Sequence, residues 1–151
     1  MMMAVLTMLV AGSSSFGAEP SADSVRLTAR VAPCCRLSAA DLEFGSYDPL
    51  ATNEIQPLDA ETTISLTCTR AASAVLRLDA AGAGLFMRAA GEELAYGLFR
   101  DGERTKPFTT VTVVGQGPMK PETIPVFGRV APSQAVPDGA YRDFVIFQVD
   151  F

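Results

Sequence analysis

The sequence predicts an all-β domain built as a sandwich of two antiparallel sheets. Short segments alternate apolar and polar residues, Gly and Pro turn signals separate them, and no helical periodicity appears beyond the first residues. The chain has 151 residues, of which 48% are hydrophobic and 19% charged. This length and composition suit one domain with a substantial core rather than a disordered segment.

The composition also argues against several classes of function. The chain contains no His, which removes His-based catalytic triads and imidazole metal ligands. Its net charge is −5 and it has no run of Lys or Arg, so nucleic-acid binding lacks its usual electrostatic basis. Most acidic residues flank turns or alternate outward on strands, where solvated charges are expected. We therefore predict no enzyme activity, no cofactor and no metal site.

Residues 1–18 are predicted to be a signal peptide. An apolar run over residues 1–10 is followed by small residues up to Ala18, a suitable cleavage region. The run is too short to span a bilayer, which takes about 20 residues. No Lys or Arg precedes the run, and the alternative interpretation is a buried core strand. Export implies an oxidising compartment, so the cysteines are disulfide candidates.

Residues 24–31 show the period-two alternation of a half-buried strand. The apolar set on one face is Val25, Leu27, Ala29 and Val31. This strand either pairs within its own sheet or fills a gap in another copy by β-strand addition. The alternation alone leaves both possibilities open.

Alternation predicts further strands in the middle of the chain. They cover residues 62–68, 74–78, 94–98, 109–114 and 124–130. The first of them places Cys68 on its core face. Residues 53–60 are predicted to be a loop because Pro57 breaks any regular element, and residues 38–42 form at most one helical turn. Pro125 predicts that its strand lies at an edge or a bulge.

The last predicted strand covers residues 141–151 and presents one apolar face. The residues on that face are Val145, Phe147, Val149 and Phe151. An immunoglobulin-type sandwich closes with a further strand after its sixth, and no residue follows Phe151. We therefore expect the far edge of this strand to be uncovered, which is an aggregation hazard unless another strand fills it.

The three cysteines predict one disulfide. Bonding Cys68 to Cys34 or Cys35 closes a loop of about 33 residues and stabilises the fold by about 3–4 kcal/mol in the chain-entropy model. Cys35 is the favoured partner, which leaves Cys34 free. A Cys34–Cys68 bond and a vicinal Cys34–Cys35 bridge are the alternatives. A metal-ligating or catalytic role lacks both His and CxxC spacing.

Several segments also carry a family resemblance. They are residues 35–49, 63–69, 94–101, 124–130 and 137–145. In this order and spacing they resemble the spore coat protein U domain, which is the subunit of Csu-type, or archaic, chaperone–usher pili of Gram-negative bacteria. The resemblance runs from about Val25 to Phe151.

The resemblance implies an incomplete immunoglobulin-like β-sandwich of the pilin type that lacks its last strand. Residues 19–32 become an N-terminal donor-strand extension, and residues 33–151 become the sandwich domain. The implied donor residues are Val25, Leu27, Ala29 and Val31. The implied edge strand of the acceptor groove carries Val145, Phe147, Val149 and Phe151. The disulfide that resembles the family pattern joins Cys35 to Cys68.

The function implied by the resemblance is that of an exported, non-enzymatic pilus subunit that polymerises by donor-strand exchange and supports adhesion and biofilm formation. Its expected partners are neighbouring pilus subunits, a periplasmic chaperone that lends a strand, and an outer-membrane usher where the strand is exchanged. Its expected location is the cell surface, reached through the periplasm. The alternative is a self-complete secreted β-sandwich that acts as a coat or binding protein, with its first strand in its own sheet.

Overall fold

A computed structural model describes residues 25–79 and 84–151. The unit Ala32–Phe151 contains eight strands and one short helix among its described residues. The strands are β1 Cys35–Ala39, β2 Leu58–Cys68, β3 Ser73–Asp79, β4 Leu85–Ala89, β5 Glu92–Phe99, β6 Thr110–Val114, β7 Glu122–Val130 and β8 Ile146–Asp150, and the helix is α1 Thr52–Ile55.

The strands form two antiparallel sheets. One sheet has five strands in the order β1-β2-β7-β5-β4, and the other has three in the order β6-β3-β8. In an immunoglobulin sandwich, strands A, B, E and D share one sheet, and C, F and G share the other. Here β1, β2, β7 and β5 take the places of A, B, E and D, while β3 and β8 take those of C and F. Within the described residues no strand occupies the place of G beside β8, so the predicted incomplete sandwich is confirmed.

The core lies between β2 and β7 on one side and β3 on the other. Alternation places every second side chain of these strands inward, and in the central part of the strands the exposed fraction falls below a tenth. These buried residues are Ile64, Leu66, Cys68, Ala74, Leu76, Ile124, Val126 and Val130. Burying each of the larger aliphatic side chains in this cluster contributes about 1.5–3 kcal/mol to the stability of the sandwich.

Gly128 of β7 leaves room for the irregular segment that contains Leu42 and Phe44 to pack on this strand. A Cβ atom at this position would lie 2.6 Å from the ring of Phe44 and 2.7 Å from the side chain of Leu42. Both side chains are half-buried against the sheet. Any larger residue at position 128 would push them away, so this glycine is required by close approach rather than by backbone conformation.

The loop predicted over residues 53–60 is wrong. Residues 52–55 form α1, and β2 already begins at Leu58, where it pairs with Val130 of β7. Asp48 forms a turn directly before the helix, in which its Oδ1 accepts hydrogen bonds from the backbone N–H groups of Leu50 and Ala51. Pro57 therefore separates a helix from a strand instead of interrupting a loop.

Two further local predictions differ from the structure. Residues 38–39 belong to β1 and pair with β2, so the predicted helical turn over 38–42 is absent. β4 has no counterpart in the sequence prediction because residues 85–89 lack clear alternation. It pairs with β5 through a two-residue turn at Ala90 and Gly91, whose φ values of 49° and 90° are typical of a hairpin turn.

The strand containing Pro125 is central rather than an edge. β7 is the third strand of its sheet, but β5 pairs only with residues 127–130. Pro125 pairs with Thr63 of β2 and lies beyond the end of β5, so its missing N–H is tolerated there. The prediction of an edge strand is therefore wrong for β7 as a whole. It is right for the first half of β7, which contains Pro125 and has no partner on the β5 side.

The first and the last predicted strands both differ from the structure. The predicted last strand over 141–151 is shorter in the structure, where β8 covers only Ile146–Asp150. Residues 25–34 form no strand, and Val25, Leu27 and Val31 are 83%, 89% and 84% exposed. The predicted signal peptide lies outside the described residues. No helix in the described part of the chain is long and apolar enough to cross a bilayer.

Candidate functional site at the free edge of β8

β8 is an edge strand with an apolar inner face. It pairs on one side with β3, from Asp79 opposite Ile146 to Val75 opposite Asp150. On its other side no strand of the described chain pairs with it. Val145, Phe147 and Val149 point inward and contact the core but are only half-buried, unlike the inward residues at the centre of β2, β3 and β7.

The backbone groups at this free edge follow from the hydrogen bonds of β3. The N–H of Leu78 donates to the carbonyl of Thr109, so this residue of β3 faces β6. In an antiparallel ladder the direction alternates, and Asp79 and Arg77 therefore face β8. The residues opposite them bond to β3, which leaves the N–H and C=O groups of Phe147 and Val149 pointing to the unpaired side. An additional strand would find both apolar side chains and backbone partners here.

Phe108 forms the floor beneath β8. This residue is 3% exposed and its ring meets that of Phe147 edge to face, with 5.4 Å between the ring centroids. Such aromatic pairs contribute about 0.5–1.5 kcal/mol beyond the buried area. Sequence reasoning missed Phe108 because it precedes the alternating segment of β6; the apolar residue directly after Pro107 is the signal that was available.

The outward face of β8 has a different character. Arg77 of β3 forms an ion pair with Asp150 at the surface. Phe144 and Ile146 are 90% and 58% exposed. Phe151, which the sequence places on the inner face, follows the end of β8 and is 57% exposed. The inner apolar set of the site is therefore Val145, Phe147 and Val149 without Phe151.

The strand that faces β8 across the sandwich is β1. At the other end of the three-stranded sheet, β6 lines a cleft together with the first half of β7. Since β6 faces β7, the order of the strands places β3 over β2 and β8 over β1. β1 is also an edge strand, and its inward Leu37 is half-buried. The free edges of β1 and β8 therefore border one opening between the sheets.

A disulfide fixes β1 at this opening. Cys35 is bonded to Cys68, which lies opposite it in the register of β1 and β2. The sequence prediction of this pair is confirmed, and both alternatives are excluded. Cys34 is free and exposed, and its carbonyl accepts a hydrogen bond from the N–H of Thr69 at 2.9 Å.

Ion pairs and a tyrosine–carboxylate hydrogen bond connect strands elsewhere in the sandwich. Asp59 on β2 accepts two hydrogen bonds of 2.7 Å from Arg129 and lies 3.4 Å from Arg104. The hydrogen bond from Arg129 holds the pKa of Asp59 below its usual value, against the opposing effect of burial. Burial and the hydrogen bond to Asp143 raise the pKa of Tyr96.

Among the described residues, no group of three or more Cys, Asp or Glu is arranged to hold a metal ion.

The sequence profile of the Spore Coat Protein U domain matches residues 21–148. The chain belongs to this family. It is similar to Protein U of Myxococcus xanthus, with 30% identity over 167 aligned positions that cover 95% of this chain and 91% of that protein.

A solved structure shares the fold of this family member. It is the CsuC–CsuE chaperone–tip adhesion subunit pre-assembly complex from archaic chaperone–usher Csu pili of Acinetobacter baumannii. The TM-score is 0.55 at 20% identity, and the match covers 80% of this chain but only 40% of the length of that chain. At this level of identity the likeness establishes the fold.

Proposed function

We propose that this Spore Coat Protein U family member is an exported structural subunit of a chaperone–usher surface pilus that polymerises by donor-strand exchange. The observation that carries the proposal is the free edge of β8, where inward apolar side chains remain half-exposed and backbone groups lack partners. The family match and the fold shared with a Csu pilus complex support it.

The proposed occupant of this edge is the segment 25–31 of a neighbouring subunit. Seven extended residues span about 23–25 Å, which is longer than the roughly 17 Å of a five-residue strand such as β8. The donor residues are Val25, Leu27, Ala29 and Val31, which share one face in an extended chain. In the described structure this segment forms no strand, and its larger apolar side chains are exposed.

The energetics favour occupation of the opening. Burying Val25, Leu27 and Val31 contributes about 1.5–3 kcal/mol for each side chain. Each backbone hydrogen bond to the outward groups of Phe147 and Val149 adds about 1 kcal/mol. The smaller Ala29 contributes less, so Leu27 and its two valine neighbours are the main anchors.

The proposal also assigns the partners. A periplasmic chaperone lends a strand to the free edge of β8 until, at an outer-membrane usher, the donor segment of the next subunit replaces it. The assembled polymer lies on the cell surface and supports adhesion and biofilm formation. In this role the protein is structural and has no catalytic activity.

The experiment that tests this function uses a deletion of residues 21–31 and a matched point variant. We expect both the deletion and Leu27→Asp to give subunits that fold but form no fibres, because the donor strand is missing or carries a charge into an apolar groove. Thr28→Asp is the control, since position 28 faces away from the groove and fibres should persist. Electron microscopy and size-exclusion chromatography report the outcome.

A synthetic peptide of residues 21–31 completes the test. It should bind the deletion variant and raise its unfolding temperature, whereas the same peptide with Leu27→Asp should not. Fibres formed by the deletion variant would contradict strand exchange. A full-length chain that purifies alone as a stable monomer, without a chaperone and without self-association, would instead support a self-complete sandwich.

A further inference from the structure

The three-stranded sheet has a second free edge, on β6. The carbonyl of Thr109 accepts a hydrogen bond from β3, and the N–H of Gly115 donates one to it, so these two residues face β3. Alternation along the strand then turns the N–H and C=O groups of Thr110, Thr112 and Val114 away from β3. No strand among the described residues pairs with this side.

This edge lacks the protection that the free edges of the five-stranded sheet have. On β4, Arg88 exchanges two backbone hydrogen bonds with Arg142, which occupies that edge. β1 carries the charged Arg36, and the free half of β7 contains Pro125. β6, with the sequence TVTVV, contains neither a charge nor a proline and consists only of β-branched residues. Charges and prolines are the usual means by which edge strands avoid pairing with another chain.

A cleft of about 520 Å³ lies beneath this edge, between β6 and the first half of β7. Its apolar lining includes Val111, Val113 and Ile124, and its polar lining includes Arg100 and Glu122.

The two charged residues stand at opposite ends of β6. Arg100 follows Phe99, which forms a bridge with Pro107 just before β6 begins. Glu122 lies opposite Leu66 near the end of β2, and β6 also ends near this point because Gly115 packs on Cys68. The positive charge therefore lies toward Thr110 and the negative charge toward Val114.

We propose that β6 pairs with β6 of a second copy of this chain in an antiparallel, two-fold arrangement centred on Thr112. In this register Thr112 meets its own equivalent and Thr110 meets Val114, so no like charges oppose each other on the outer face. On the inner face Val111 meets Val113, and the two apolar clefts become continuous.

Charge complementarity identifies a second copy as the occupant. The two-fold reverses the direction of one strand, so Arg100 of each copy approaches Glu122 of the other. This contact joins subunits side by side, whereas the proposed strand exchange at β8 joins them end to end. The two contacts use different edges, so evidence against the β8 exchange would not contradict the β6 pairing, and evidence against the β6 pairing would not contradict the exchange.

Disulfide trapping tests the register. In the full chain with Cys34→Ser, which removes the free exposed thiol, Thr112→Cys should yield a covalent dimer under mild oxidation. The two equivalent Cα atoms would lie about 5.5 Å apart, within the range of a disulfide. Thr110→Cys is the matched control: alone it should not cross-link, but together with Val114→Cys it should.

Electrophoresis under denaturing, non-reducing conditions measures the covalent dimer, so non-covalent strand exchange leaves no band. Adding Leu27→Asp, which blocks the proposed exchange at β8, should leave the cross-link intact. Equal trapping of Thr112→Cys and Thr110→Cys, no trapping of Thr112→Cys, or a product that contains a different protein would overturn the β6 pairing.

A charge exchange provides the second measurement. Arg100→Glu and Glu122→Arg should each weaken side-by-side dimerisation about tenfold, because each creates two like-charge contacts across the two-fold. The double variant restores both opposite-charge contacts and should recover the affinity measured by sedimentation in the Leu27→Asp background. Failure of the double variant to recover would overturn the two-fold arrangement.

Discussion

The two edges of the three-stranded sheet differ in what they lack. At β8 the inward Phe147 and Val149 are half-exposed, so both side-chain cover and backbone partners are missing. At β6 the inward Val113 is 9% exposed and Val111 is half-buried, so the main missing element is the backbone partner. An edge that mainly lacks apolar cover is coupled to the stability of the fold, whereas an edge that mainly lacks hydrogen-bond partners is coupled to association.

The largest expected effect concerns the β1 side of the opening that β8 borders. Replacing Cys35 and Cys68 together with Ser should lower the free energy of unfolding by about 3–4 kcal/mol, because the disulfide closes a loop of 33 residues. Urea unfolding measures this loss. Cys34→Ser is the matched control and should change the stability very little. An equal loss in the control would contradict the assigned pairing.

The next effect separates the inner from the outer face of β8. Phe147→Ala should lower the free energy of unfolding by about 2–3 kcal/mol, less than for a fully buried Phe because its side chain is half-exposed. Gln148→Ala, on the exposed face of the same strand, should cost under about 0.5 kcal/mol. Similar losses for both variants would show that β8 does not depend on its inner face.

A charge on β6 should have almost no effect on the isolated fold. Thr112 is exposed and its backbone groups point away from β3, so Thr112→Lys should change the free energy of unfolding by less than about 0.5 kcal/mol. The same variant should abolish side-by-side dimers, which sedimentation measures. A large loss of stability would mean that β6 and β8 are not different kinds of edge.

A small, pH-dependent effect comes from Asp59, which lies on β2 between two arginines. Its pKa is lowered in the folded state, so its ion pairs stabilise the fold above the ordinary pKa of 3.8, and this stabilisation is lost as the pH falls through the lower folded value. Because Asp59 is partly exposed, the contribution is under about 1 kcal/mol. Asp59→Asn should therefore be less stable than the unmodified chain at pH 7, and the difference should shrink as the pH falls below 3.8.

The sequence predictions succeeded where the pattern is local and repeated. The alternation that places Ile64, Leu66 and Cys68 on one face is found in β2, and that of β3 is found as predicted. They failed where a partner strand decides the outcome. Residues 58–61 extend β2 because β7 pairs with them, although Pro57 favours a loop, and β4 exists because β5 lies beside it.

The candidate site shows the same division. Alternation identified Val145, Phe147 and Val149 as an inner face, and the family resemblance supplied the idea of an acceptor edge. Phe108 beneath Phe147, and the exposed position of Phe151 beyond the end of β8, follow from packing between distant segments. No local pattern contains those contacts.

By itself the sequence determined that this chain is a β-sandwich with apolar faces of period two, because side chains alternate about a strand whatever its neighbours are. Only the tertiary structure decided that Cys35 bonds to Cys68, that Pro125 is tolerated in a central strand, and that β6 has a free edge in addition to the one expected on the last strand. Strand order and edges depend on pairing between residues far apart in the chain, and that pairing determines where another strand can be added.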